Sequence, residues 1–198
     1  MILSLFVHLL FFLPAGESQQ IKMHPEKQDR KREFGIHSVK MVQKIPFTIE
    51  QAWAFYTNPQ DLLTITPSSM KFSVIAEHHA ERLYIDQVFE YKVSPIFGIP
   101  LNWVSEIKEV NAPVYFMDEQ RKGPYKFWQH QHYFKAIEGG VEVTDIIYYK
   151  NPLGILGTLA NILFIKKKLR KIFEYRFKRI EELFGKWPGG QSPLIEIV

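Results

Sequence analysis

Along this chain the spacing of apolar residues passes from an unbroken run to strict alternation and then to a helical stripe, and each change marks an element. Ile2 to Leu13 is continuous apolar sequence interrupted only by His8. It is too short to span a bilayer but has the length of a signal-peptide core, with Gly16 and Ser18 as a small-x-small pair. No Lys or Arg precedes it, so residues 1–20 read either as a signal-like segment or as a start assigned too far upstream. Residues 21–35 mix charges of both signs around Pro25 with no apolar period, which describes a solvated linker. A folded domain is expected over 36–186 and a C-terminal tail over 187–198.

Inside that domain, His37 to Pro46 alternates as a first strand, with Val39, Met41 and Gln43 on one side. Thr48 is placed to cap a short helix carrying Ile49, Trp53 and Tyr56 on one face; Asn58 and Pro59 stop it, and a second short helix follows over Gln60 to Ile65. From Lys71 to Lys150 the period is two, punctuated by Ser94 to Gly98, by Asn111 with Pro113, by Gly123 with Pro124 and by Gly139-Gly140. This predicts an antiparallel meander. From Ile155 to Phe184 the helical period returns as one long helix, with Leu159, Ile162, Leu169, Phe173, Phe177 and Ile180 on its stripe and Gly185 and Pro188 beyond its end.

The composition narrows the chemistry. With 46% hydrophobic and 23% charged residues the chain can bury one sizeable core, and 15% aromatics favour strands or a cavity wall. The absence of cysteine excludes disulfides, thiolate metal sites and a cysteine nucleophile. The net charge of +4 suggests nucleic acid at first sight. Its excess, however, sits in the linker and the last helix, and no base-reading motif accompanies it, so no nucleic-acid partner is expected. Lys166, Lys167, Lys168, Arg170 and Lys171 form a cluster beside Phe164 and Ile165; it reads as a solvated helix face or as a peripheral membrane contact.

The candidate site lies on the hairpin Tyr125 to Lys150. Alternation puts Trp128, His130, His132 and Phe134 on one face, and a hairpin closing at or one step before Gly139-Gly140 adds Val143, Asp145, Ile147 and Tyr149 to it. The tighter closure sets His132 opposite Asp145. Such a pair is either a satisfied interior contact or a means of orienting a polar head on an apolar ligand. As a proton-transfer dyad, His132 and Asp145 are the catalytic candidates of a cyclase-type enzyme. The ligand types of H-x-H plus a carboxylate suit a metal, yet nothing fixes its geometry, and no metal or other cofactor is expected. Trp53, Phe89, Tyr91 and Trp103 join the candidate ligand-binding residues, while Asp118, Gln120, Gly123 and Pro124 are assigned to a structural turn.

The run from Asp118 to Asp145 carries a DxQxxGP turn (Asp118, Gln120, Gly123, Pro124), a WxHxHxF strand (Trp128, His130, His132, Phe134), a Gly-Gly hairpin and a Thr144-Asp145 pair. It resembles the ligand-binding subgroup of the SRPBCC, or START-like, superfamily, over about residues 36 to 186. The resemblance implies an α+β helix-grip fold: a curved antiparallel sheet wrapped around a long C-terminal helix, with two short helices after the first strand. It also implies a cavity for a small hydrophobic ligand such as a lipid, polyketide or isoprenoid-like compound. A cyclase or aromatase, and an interaction protein akin to so-called cell-division inhibitors, are the alternatives the family offers. Because the resemblance starts after the apolar segment, a cytoplasmic location is expected, with export as the alternative if residues 1–20 form a genuine signal.

Overall fold

The structure, a computed structural model, describes residues 35–77, 82–94, 98–160 and 164–198. The expected signal-like segment, all of the linker except Gly35, and the middle of the Ser94 to Gly98 turn lie outside these residues. Among them the fold is α+β with helix-grip architecture. Strands β1 (Ile36–Ile45), β2 (Ser73–Glu77), β3 (Val88–Val93), β4 (Leu101–Asn111), β5 (Tyr115–Lys122), β6 (Phe127–Ile137), β7 (Gly140–Lys150) and β8 (Leu194–Ile197) form one antiparallel sheet in the order β2-β3-β4-β5-β6-β7-β1-β8. Helices α1 (Ile49–Thr57) and α2 (Pro59–Thr64) follow β1, and α3 (Gly154–Ala160) and α4 (Lys166–Phe184) follow β7.

The local chemistry explains these boundaries. In β1 the period-two face Val39, Met41, Gln43 and Ile45 is buried. The Thr48 side chain accepts from Gln51 N while Gln51 Oε1 accepts from Thr48 N, a reciprocal capping box that starts α1. Asn58 ends it and caps α2, whose first residue is Pro59. Along α4, Leu169, Phe173, Phe177 and Ile180 turn toward the sheet. They join two core clusters, one with Val39, Met41, Ile147 and Tyr149, the other with Ile45, Phe134, Val141 and Val143. Gln43, buried in β1, donates from Nε2 to the Phe177 carbonyl at 3.0 Å and ties strand to helix.

Two expectations change. Of the single helix expected from Ile155 to Phe184, the described residues give Gly154–Ala160 and Lys166–Phe184 on either side of residues 161–163, with Phe164 and Ile165 in a wide π-type turn just before α4. Leu159 is exposed rather than on the stripe. Ile162 lies outside the described residues. Within the segment read as a tail, Leu194 to Ile197 form β8, which pairs with the outer side of β1 in the register Met41↔Ile195 and supplies hydrogen bonds that edge would otherwise lack.

Candidate functional site

A cavity of about 210 Å³ lies between the curved sheet and the helices. Phe89 and Tyr91 from β3, Trp103 and Ile107 from β4, and Phe116 from β5 supply apolar wall; Leu62 of α2 and Leu169 and Phe173 of α4 face them. Part of this wall is polar, where Asp118, His130, His132, Ser105, Tyr56 and Arg176 converge from different elements; Thr57, Asn58, Thr66 and Lys168 are the other polar residues on the lining.

Strand register builds this polar end. The β6–β7 hairpin closes with Ile137 opposite Gly140, Gly139 taking φ +80° in the turn, and this count places His132 opposite Asp145. On the other flank of β6, His132 pairs with Phe116 and His130 with Asp118. Asp145 is fully buried between the two rings: its Oδ1 lies 2.7 Å from His132 Nδ1 and 3.2 Å from His130 Nε2. These contacts have ion-pair distances without in-line hydrogen-bond angles. His132 Nε2 is 3.7 Å from Asp118 Oδ1, and Asp118 Oδ2 accepts from the Ser105 hydroxyl at 2.5 Å. Arg176 reaches in from α4, its guanidinium 4.0 Å from Asp145 Oδ2 and 5.3 Å over the Phe173 ring. Tyr56 stands edge-on to His132, with ring centroids 6.3 Å apart.

The two histidines differ electrostatically. Burial works against a proton on His132, but the carboxylates of Asp145 and Asp118 outweigh it and raise its pKa above the ordinary 6.5. For His130, burial and then the charge of His132 prevail over the same carboxylates and lower its pKa to about 4. Burial would raise Asp145, yet the adjoining imidazoles hold it far below the usual carboxylate value. Asp118 is also lowered, against its burial, by contact with His132 and by the charges of both histidines. The Tyr56 phenol is pushed up by burial and stays protonated. At neutral pH the constellation therefore holds two carboxylates against one guanidinium and one proton-seeking imidazole, with His130 neutral.

Asp118, His130 and His132 each offer a ligand atom, all within 4.8 Å of one another, and among the described residues they form the group able to hold a divalent cation. In this arrangement His132 is flanked by carboxylates at both nitrogens, and Asp118 is shared with Ser105.

Of the anticipated ligand-binding residues, Phe89, Tyr91, Trp103, Trp128, His130, His132 and Ile147 line the cavity. Trp53, Phe134, Asp145 and Tyr149 do not. Trp53 packs edge-on against Phe116 and Phe134 at 5.6 and 5.7 Å, which makes it and Phe134 part of the core under α1. Tyr149 is fully buried beside Tyr125 and Trp128. Asp145 lies behind the histidines and acts on the cavity through them. The turn residues divide as well. Gln120 clamps the turn, donating to Tyr125 O at 2.8 Å and accepting from Tyr125 N at 3.4 Å, and a Cβ on Gly123 would fall 2.2 Å from Gln120 Oε1. Pro124 lies within this clamped loop. Asp118 instead points into the cavity, because its place opposite His130 puts it on the inner face.

Tyr56, Ser105 and Arg176 were not anticipated as site residues. Arg176 left a trace in the sequence: it sits seven residues after Leu169 and four before Ile180, a cation on the buried stripe of α4. Tyr56 shares the inward face of α1 with Trp53, but nothing in the sequence separates a core aromatic from one that lines a cavity.

No family model matches the chain, and no curated protein matches it. Among solved structures, it is similar to protein CV1439 from Chromobacterium violaceum, with a TM-score of 0.57 at 8% identity over 76% of this chain and 98% of that one. It is similar to TTHA0849 from Thermus thermophilus, with a TM-score of 0.55 at 18% identity over 73% of this chain and 94% of that one. A nucleoside-diphosphate sugar epimerase from Corynebacterium glutamicum aligns with a TM-score of 0.53 at 24% identity, over 72% of this chain but only 28% of that one. At these identities the likeness is one of fold, and the fold that the chain shares with them is the helix-grip α+β architecture described above.

Proposed function

We propose that this protein binds and carries a small hydrophobic molecule in the cavity between the sheet and α4. The observation that carries the reading is the cavity itself: mostly aromatic and aliphatic walls with a cluster of polar groups among them, the usual form of a site that buries an apolar body and orients one polar end. The likeness of the Asp118 to Asp145 motifs to ligand-binding SRPBCC proteins supports it. Binding is preferred over cyclase-type catalysis on geometric grounds. His132 meets Asp145 at Nδ1 and Asp118 at Nε2, and His130 Nε2 meets Asp145, so the catalytic candidates His132 and Asp145 are spent on each other and on their neighbours. A protein purified gently from its host and sprayed under native conditions is expected to carry extra mass that solvent extraction removes as lipid-like material. Ile107→Trp, which extends an indole into the cavity, should reduce Nile red affinity by about tenfold or more. Unchanged dye binding in that variant, together with the absence of extractable material, would overturn the proposal.

A second reading, of where the ligand is collected, is favoured by the surface beside the cavity. Leu153, Leu156 and Phe164 are 77, 68 and 64% exposed, an unusual density of large apolar side chains in open solvent. Phe164 stands two residues before the cluster Lys166 to Lys171 in the sequence, and Ile165 and Lys168 of this stretch also line the cavity. Apolar side chains beside a basic cluster match an anionic lipid surface, into which the former insert while the latter meet headgroups. Co-sedimentation with phosphatidylserine-containing vesicles is expected, to be weakened by salt and by a Leu156→Ser/Phe164→Ser double variant; equal binding to neutral phosphatidylcholine vesicles would contradict it.

A further inference from the structure

The polar end of the cavity contains hydrogen-bonding atoms that the protein leaves unmatched. Among the described residues, the Tyr56 hydroxyl and Arg176 Nε are buried without a hydrogen-bond partner, although both residues line the cavity. An unpaired buried donor costs about 1–3 kcal/mol, so two of them on residues that line one space mark a place where a partner belongs. Arg176 is 8% exposed and is held from one side, by Asp145 Oδ2 at 4.0 Å and by the face of Phe173 at 5.3 Å. That anchoring fixes the direction of its remaining donors. Tyr56 comes from the opposite helix, edge-on to His132.

We infer that Tyr56 and Arg176 form a donor pair for a neutral carbonyl oxygen, and that the carried molecule is an apolar ketone or ester rather than a hydrocarbon or a fatty-acid anion. This rests on the carrier reading above and specifies its ligand. An Arg nitrogen can only donate, so the ligand atom must accept, and a carbonyl oxygen has two lone pairs and no proton in need of a buried acceptor. A carboxylate would accept equally well, but charge opposes it. Asp118 and Asp145 already face Arg176 and His132 across a few ångströms, so a third anion beside Tyr56 and Arg176 would add to two carboxylates, while the other cation on the lining, Lys168, stands eight residues before Arg176, about 12 Å along the helix.

The test compares ligands of matched chain, 2-dodecanone, dodecane and dodecanoate, by displacement of Nile red at neutral pH from the wild type and from Tyr56→Phe. The ketone is expected to bind about tenfold more tightly than the alkane, as one net buried hydrogen bond provides, and the carboxylate more weakly than the ketone. Tyr56→Phe should bring the ketone toward the alkane and leave the alkane unchanged. Arg176→Lys, which keeps the charge but removes the Nε donor, should act in the same direction. Alkane binding with no ketone preference, a carboxylate that outranks the ketone, or a Tyr56→Phe loss shared by all ligands would overturn this inference while leaving the carrier reading in place. If none of the ligands displaces the dye, the carrier reading fails and this inference falls with it.

Discussion

Asp145→Asn should lower the melting temperature by on the order of 10 °C, the largest stability effect of any conservative change at the site. Asp145 is fully buried and lies within ion-pair reach of His132, His130 and Arg176. Removing one partner of a buried pair leaves the others charged in a poorly solvating interior and costs about 3–5 kcal/mol, and a chain of this size loses about 2–4 °C per kcal/mol. The pH dependence has a definite sign. Asp145, with its folded pKa depressed, contributes stability that is present above its unfolded value near 3.8 and is lost as pH falls through the folded value. His132, with its folded pKa raised, contributes stability that is fully present below 6.5 and is lost as pH rises through the folded value. The gap between wild type and variant should therefore be widest from about pH 4 to 6.5 and should narrow toward either side. In NMR titrations His132 should lose its elevated pKa in the variant. A melting temperature within a degree or two of wild type across this range would mean that the Asp145 charge is not holding the cluster together.

Gly140→Ala is expected to cost about 3 kcal/mol, the upper part of the range for overpacking. A Cβ there would stand 2.1 Å from the Ile45 carbonyl oxygen and 3.0 Å from Trp187 Cζ3, so β1 and β7 must part at the point where their pairing begins. The neighbouring Gly139 is a useful contrast. Its φ is +80° but its nearest obstacle is Trp187 Cη2 at 3.7 Å, so Gly139→Ala carries only the left-handed penalty of roughly 1–2 kcal/mol. Because β7 delivers Asp145 to His132, Gly140→Ala should also shift the His132 titration, which Gly139→Ala should leave near wild type. Urea midpoints give the ranking, and a Gly139→Ala loss equal to or greater than that of Gly140→Ala would show that the close approach of the strands is not what glycine serves there.

The inner face of the hairpin was readable in the residues because alternation is a local rule. Once Trp128, His130, His132 and Phe134 fall in a period-two run, they must share a side; of the two closures the sequence allows, the structure takes the tighter one, which sets His132 opposite Asp145. Thr48 with Gln51, and Asn58 with Pro59, likewise announce their helices through contacts spanning three residues or fewer. The sheet-and-helix order followed from the same short-range signals, together with the resemblance that the Asp118 to Asp145 motifs carry.

Other features required the assembled chain. Whether an inward side chain meets a cavity or a core depends on sheet curvature and on which helix lies above it. That is why Phe134 and Tyr149 became packing while Phe89 and Trp103 became wall. Arg176 joins Asp145 across 31 positions of sequence, and Tyr56 joins both from the far end of the domain; no periodicity couples residues so distant. Asp118, which as sequence reads as a turn former, becomes a partner of His132 and Ser105 because β5 lies between β4 and β6. Local patterns assign each residue to a face. The charge balance and the unmatched donors arise where faces of separate elements close on one another, since electrostatic and hydrogen-bonding energies depend on distances that folding alone creates.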